Sequence, residues 1–189
     1  MEKSDLRIIK SKRALYNALI HLMKKKTFEE IKVSDICNEA LINRSTFYAH
    51  FEDKYSLLSS MLDNLKQQFI NELNNKENNI NNSKEYYIEV IKIFLTHIEK
   101  EKDTYLSIAI NNRNSILTDM IYDVIDNDVT HTLKHDVSLN TSSIPKPIIS
   151  KFYIGAVVNV GMYWLYNMSD YSKEELINYL VKLIPDELK

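Results

Sequence analysis

Glycine, proline and cysteine are almost missing from this chain, with two Gly, three Pro and one Cys among 189 residues. Turns between strands draw on Gly and Pro, so their scarcity disfavours a sheet-rich protein and predicts an all-α one. A single Cys37 excludes an internal disulfide and fits a reducing cytosol. Its apolar neighbours predict a buried small hydrophobe rather than a redox sensor. No Gly-rich phosphate loop, Gly-x-Ser-x-Gly, Cys-x-x-Cys or His-Glu-x-x-His occurs, so neither an enzyme nor a cofactor is expected. Charge recurs through Lys24–Lys26, which excludes a secretory signal there and predicts a cytoplasmic protein. The uninterrupted apolar runs are too short for a membrane span, so no membrane partner is expected. His131 and His135 stand four apart beside Asp128 and Asp136, a spacing that suits a metal. Near a helix end such a pair far more often serves as surface histidines, and no metal site is expected.

What is present suits one or two globular domains, at 44% hydrophobic and 26% charged residues. The net charge of −2 conceals an asymmetry. Residues 1–57 hold 11 Lys/Arg against 8 Asp/Glu, and residues 58–189 hold 13 against 18. The positive excess therefore lies at the N-terminal end, where counterion release would favour contact with a polyanion.

Residues Ile36 to Lys54 read as a short helix, a tight turn and a second short helix, Arg44 to His50. Arg44, Ser45, Thr46, Tyr48 and His50 are hydrogen-bond donors with no negative charge among them. Phe47 and Phe51, four apart, supply the apolar stripe that seats the segment. A short helix whose outer face carries only donors fits the DNA major groove, the geometry of a helix-turn-helix. Lys54 opens the next helix, where its ammonium and the helix start are expected to meet a further phosphate.

Residues 8 to 62 resemble the DNA-binding domain of the TetR/AcrR family of transcriptional regulators. The resemblance is carried by Val33–Ser34–Asp35–Ile36, Ala40, Ile42–Asn43–Arg44, Thr46–Phe47–Tyr48, His50–Phe51, Lys54 and Leu57–Leu58. Two positions depart from the family pattern. Leu41 stands where the family has a turn glycine, and Lys32 where it tends to have a capping Thr. The resemblance implies an N-terminal three-helix reader, residues 1–56. It is followed by a helical effector-binding and dimerisation domain, residues 57–189, with about nine helices in all. Arg44 is the expected base contact. Ser45, Thr46, Tyr48, His50 and Lys54 complete the DNA-binding set, most of them on phosphates.

Apolar spacing predicts a first helix over roughly residues 4–25, with Ile8, Leu15, Ala18, Leu19, Leu22 and Met23 on its stripe. A long helix capped by Asp53 runs to about Leu73, a fifth follows Ser83 and a short sixth passes Tyr105. A seventh starts at Ser115, and Pro145 and Pro147 interrupt helix before residue 148. Residues 148–168 are apolar almost all round and hold both glycines, Gly155 and Gly161, which predicts close approach of another helix. Ser172-Lys173-Glu174-Glu175 is a capping box that starts a final helix. Paired across a two-fold axis, the last two helices would form a four-helix bundle. Gly155, Val158, Gly161, Met162, Leu165, Leu176 and Leu180 are its expected dimer face. The resemblance implies a small-molecule effector pocket in this half, with Phe94, Tyr105, Tyr122, Phe152 and Met162 as its expected lining. The functional expectation is a homodimeric repressor on a palindromic DNA operator, released by a small molecule. The alternative is a coregulator or activator controlled by a protein partner.

Overall fold

The computed structural model describes residues 3–75, 83–112 and 144–183. Among the described residues the protein is all helical, as expected. The elements are α1 (Lys3–Met23), α2 (Val33–Ala40), α3 (Arg44–Tyr48), α4 (Lys54–Asn74), α5 (Ser83–Lys100), α6 (Lys102–Asn111), α7 (Lys146–Tyr166) and α8 (Lys173–Leu183). The expected helix from Ser115, Tyr122, and the histidines 131 and 135 lie outside the described residues.

The chain divides into two compact units, one of residues 1–64 and 106–121, the other of residues 65–105 and 122–189. The first unit runs into α4 as far as Asn64 and takes in the end of α6 from Leu106. No local signal marks that regrouping, because it depends on contacts made some 85 residues away in sequence.

In the first unit, α1 buries Leu15, Ala18, Leu19, Leu22 and Met23 against α2. Ile8, counted on that stripe, is exposed together with Leu6 and Ile9. Phe28, Ile31, Ile36, Phe47, Phe51, Leu57 and Leu58 complete the core. Tyr16 and Ser60 join α1 to α4 through their hydroxyls at 2.8 Å. Asp53 caps α4 as expected, its Oδ1 accepting Ser56 N–H at 2.8 Å while Ser56 Oγ accepts Asp53 N–H at 3.1 Å.

In the second unit, α5 packs against α7 and α8. Gly161 of α7 meets α5 so closely that an added Cβ would lie 2.7 Å from Phe94 Cε1 and 3.5 Å from Ile98 Cδ1. The predicted close approach is therefore made at Gly161, within the protomer. Gly161→Ala should destabilise the protein by about 1–2 kcal/mol, because overpacking outweighs the gain in helix propensity. Calorimetry would show it as a lowered Tm, and an unchanged or raised Tm would contradict the packing. Helix α7 starts inside the proline pair rather than after it. Pro147 sits in its first turn, where a missing N–H costs nothing. Trp164 donates its indole N–H to Tyr171 O at 2.8 Å, closing the corner into α8. The capping box at the start of α8 forms as expected, with Glu175 accepting Ser172 N–H at 2.9 Å and Ser172 Oγ accepting Glu175 N–H at 3.2 Å. Lys173 pairs with Glu99 of α5 at 2.6 Å.

Residues Pro147–Tyr166 are long and apolar enough to cross a membrane by length and composition, with a mean hydropathy of 1.3. Core helices of globular proteins pass the same test. One side of this helix, Ile149, Ile154, Val158, Trp164 and Leu165, is buried within the protein.

Candidate nucleic-acid interface

The turn between α2 and α3 is closed by a Schellman arrangement, Ile42 N–H to Cys37 O at 2.9 Å and Leu41 N–H to Asn38 O at 3.3 Å. That geometry requires a left-handed residue, and Leu41 supplies it with φ 55° and ψ 41°. A side chain there costs about 1–2 kcal/mol. Leu41 is 94% exposed, so no packing offsets the strain. Leu41→Gly should stabilise the protein by about 1 kcal/mol after the glycine's greater unfolded-state entropy is set against the relieved strain. A denaturant midpoint that fell instead would remove the argument.

Lys32 offers no capping oxygen to α2, and Asp35 compensates. Its carboxylate accepts the Lys32 N–H at 3.1 Å and the Lys26 ammonium at 2.6 Å. Lys26 thus works at the start of α2. These bonds, that from Lys26 foremost, hold the Asp35 carboxyl below the ordinary carboxylate range. With a folded pKa below the unfolded one, this stabilisation is complete above about pH 5 and is lost as pH falls through the folded value. Asp35→Asn should therefore lower stability at neutral pH and flatten its decline in acid, which urea titrations between about pH 2 and 6 would resolve.

Helix α3 is seated as the spacing predicts. Phe47 and Phe51 are buried, with ring centroids 5.9 Å apart. Tyr16 reaches Phe51 at 6.3 Å, and Lys12 lies 5.6 Å over the same ring. Cys37 is buried beneath the motif, and burial raises its pKa, which keeps it a thiol. The outward set is Arg44, Ser45 and Tyr48, exposed, with Thr46 half-buried. His50 is half-buried in the turn just after the helix, which ends at Tyr48. All five remain on one short segment with no acidic side chain among them.

Lys54 has a different role from the one expected. Its ammonium donates to Phe28 O at 2.9 Å, Glu29 O at 2.8 Å and Ile31 O at 2.9 Å. An ammonium has three N–H donors, and all three are committed inside the protein. The charge lies 4.9 Å over the Phe28 ring and 5.5 Å over that of Tyr55, and burial lowers its pKa. Lys54 therefore fixes the α1–α2 connection to the start of α4 and has no donor left for a phosphate. Sequence spacing could not reveal this, because the three carbonyls converge only once the connection has folded back.

The C-terminal expectations are redistributed too. Val158, Leu165, Leu176 and Leu180 are buried in the protomer, and Gly161 faces α5, so these five expected interface residues belong to its core. A helix apolar all round gives no sequence signal for its inner side. The outer side carries Ile148, Phe152, Gly155, Met162, Tyr163 and Tyr166. Nothing lies within 4 Å of a Cβ built on Gly155. Phe152 and Met162, expected in the effector pocket, are 68% and 38% exposed on that same side. Phe94 and Tyr105 do face the interior of the second unit, Phe94 against Gly161. Tyr105 bonds His97 Nε2 at 2.6 Å, and Phe69 packs edge-on against the His97 ring at 5.0 Å. Sequence reasoning missed His97 and Phe69. Burial raises the Tyr105 pKa and lowers that of His97, so the pair is neutral. Tyr122 lies outside the described residues.

Residues 15–61 match the model of bacterial regulatory proteins of the tetR family. Residues 88–186 match that of the transcriptional regulator C-terminal region. The uncharacterized HTH-type transcriptional regulator YxbF of Bacillus subtilis is 31% identical over 70 residues, 36% of this chain and 18% of that longer protein. Among solved structures, the fold is similar to that of the regulator FadR from Bacillus subtilis in complex with stearoyl-CoA. The two superpose with a TM-score of 0.71 at 16% identity, covering 94% of this chain and 99% of the other. The dihydroxyacetone kinase operon activator DhaS gives 0.56 at 21% identity, with 92% and 93% covered. The reader, the helical unit that follows it and the two family matches lead to one conclusion: the chain belongs to the tetR family of DNA-binding transcriptional regulators.

Proposed function

We propose that the protein is a homodimeric repressor that binds a palindromic operator and is released by a small molecule. The observation that carries the operator part is the outward face of α3, Arg44, Ser45 and Tyr48, exposed donors with no acidic residue among them. Arg44 reads a base edge in each half-site, while Ser45, Thr46, Tyr48 and His50 fix the register on phosphates. The Lys54 contact, if replaced, falls to the backbone N–H groups at the start of α4. Pairing is supported by the outer stripe of α7, whose apolar members Ile148, Phe152, Met162, Tyr163 and Tyr166 would otherwise face water. Dimers place two readers about one turn of DNA apart and so demand a palindrome. Analytical ultracentrifugation should give a dimer at micromolar concentration, and Phe152→Glu should shift it toward monomer.

For the effector, the second unit offers an aromatic cluster around the His97–Tyr105 pair, two neutral polar groups among Phe69 and Phe94. The FadR structure was solved with stearoyl-CoA, which makes an acyl-CoA the first compound to test. A thermal-shift titration with stearoyl-CoA, run beside operator release in a gel-shift assay, tests the repressor reading. Stabilisation without release would instead favour an activator, the role that the DhaS description names for that protein. A repressor acting on chromosomal DNA would work in the cytoplasm.

A further inference from the structure

Leu41 is 94% exposed, and among the described large hydrophobic residues the next, Leu183, stands at 73%. Its backbone is left-handed at φ 55°, the one non-glycine residue in that region among those described. The combination is uneconomical for folding. A left-handed conformation costs a branched side chain free energy, and a side chain that packs against nothing recovers none of it. The turn itself does not need the isobutyl group. The Leu41 N–H and Ile42 N–H bonds that close it are made by the backbone, and a glycine would close it equally well. Strain of this kind persists where function retains it.

The exposed surroundings of Leu41 in the reader are mostly polar. Asn43, Arg44, Ser45 and Tyr48 can all form hydrogen bonds, and Ala49 is the other exposed aliphatic residue between 41 and 49. Glu39, the nearest acidic residue in sequence, is engaged with His21 Nδ1 of α1 at 2.9 Å. Leu41 stands two residues before Asn43, the N-cap of α3, and three before Arg44. It therefore belongs to the end of the motif that leads into the major groove. Base edges there present donors, acceptors and one apolar group, the C5-methyl of thymine. A hydrogen-bond donor gains nothing from that methyl. An aliphatic side chain does, because contact removes both from water.

We propose that Leu41 is a specificity-determining residue that packs on the C5-methyl of a thymine beside the base read by Arg44, once in each half-site. The inference rests on the operator reading above, in which α3 enters the major groove. The strain at Leu41 is then offset in the complex rather than in the free protein.

The test measures binding of the full chain to an operator duplex selected from fragmented genomic DNA. Each thymine in turn is replaced by deoxyuridine, which keeps the hydrogen bonds of the pair and removes only the methyl. One replacement per half-site should weaken wild-type binding by about fourfold, the effect of burying one methyl group. Leu41→Gly and Leu41→Ala should each bind the unmodified operator about tenfold more weakly and become indifferent to that replacement. Leu41→Ala keeps the Cβ and with it the strain, so a loss shared by both variants does not come from a loosened turn. Leu41→Met should keep most of the affinity and the methyl dependence. Stability and affinity should move in opposite directions in Leu41→Gly, whose denaturant midpoint rises as its binding weakens. Wild-type binding by Leu41→Gly, with Arg44→Ala weakened, would overturn this inference alone. Wild-type binding by both would overturn the operator reading with it. Leu41 variants that bind weakly yet respond to every deoxyuridine as the wild type does would also overturn the thymine contact.

Discussion

Arg44→Ala is expected to weaken operator binding by roughly 1–3 kcal/mol and to relax base preference at one position in each half-site. The residue is exposed at the first position of α3, so its removal takes no packing from the core. Phe47 and Phe51, which seat the segment, are untouched. The loss should accordingly appear in affinity and specificity while the Tm stays unchanged. Competition binding against duplexes altered at single base pairs separates the two effects. If the variant discriminated among those duplexes as the wild type does, Arg44 would be holding a phosphate or nothing.

Lys54→Met should show the opposite pattern. The methionine keeps much of the aliphatic stem over Phe28 and Tyr55 but leaves the carbonyls of Phe28, Glu29 and Ile31 without their donor. A hydrogen bond to a charged group contributes about 1.5–3 kcal/mol net to stability. Shared among three acceptors at a partly solvated site, a total loss of about 2–4 kcal/mol is expected, or roughly 5–15 °C in Tm. Measured at a temperature where the variant is folded, the dependence of log K on log salt should keep its slope. A phosphate contact would instead flatten that slope by about one unit. A flatter slope with an unchanged Tm would return Lys54 to the DNA interface.

Much was legible before any coordinates. Helix spacing and the scarcity of Gly and Pro gave the all-helical class. The Thr-Phe-Tyr-x-His-Phe-x-x-Lys run located the reader, and the Asp53 and Ser172 caps marked helix starts within a residue. These features are local: a cap bonds three residues away, and an amphipathic stripe repeats every three or four. The sequence also located the departure at Leu41, and the structure shows that residue in the left-handed backbone which the turn requires.

Non-local partners decided the rest. A lysine at the start of a helix reads as a phosphate ligand until three carbonyls from more than 20 residues away converge on it. An Asn-Asn pair at the end of α6 carries no signal until the end of α1 is found against it. On α7, uniformly apolar, only the packing of Gly161 onto Phe94 fixes which side turns inward. The sequence by itself thus determined the class of fold and the place of the helix-turn-helix, because each is written in spacings of three to four residues. Tertiary structure alone decided which donors of that motif stay exposed and which apolar side of α7 turns outward. A hydrogen-bonding group or a hydrophobic side chain can be spent only once, and long-range contacts spend it.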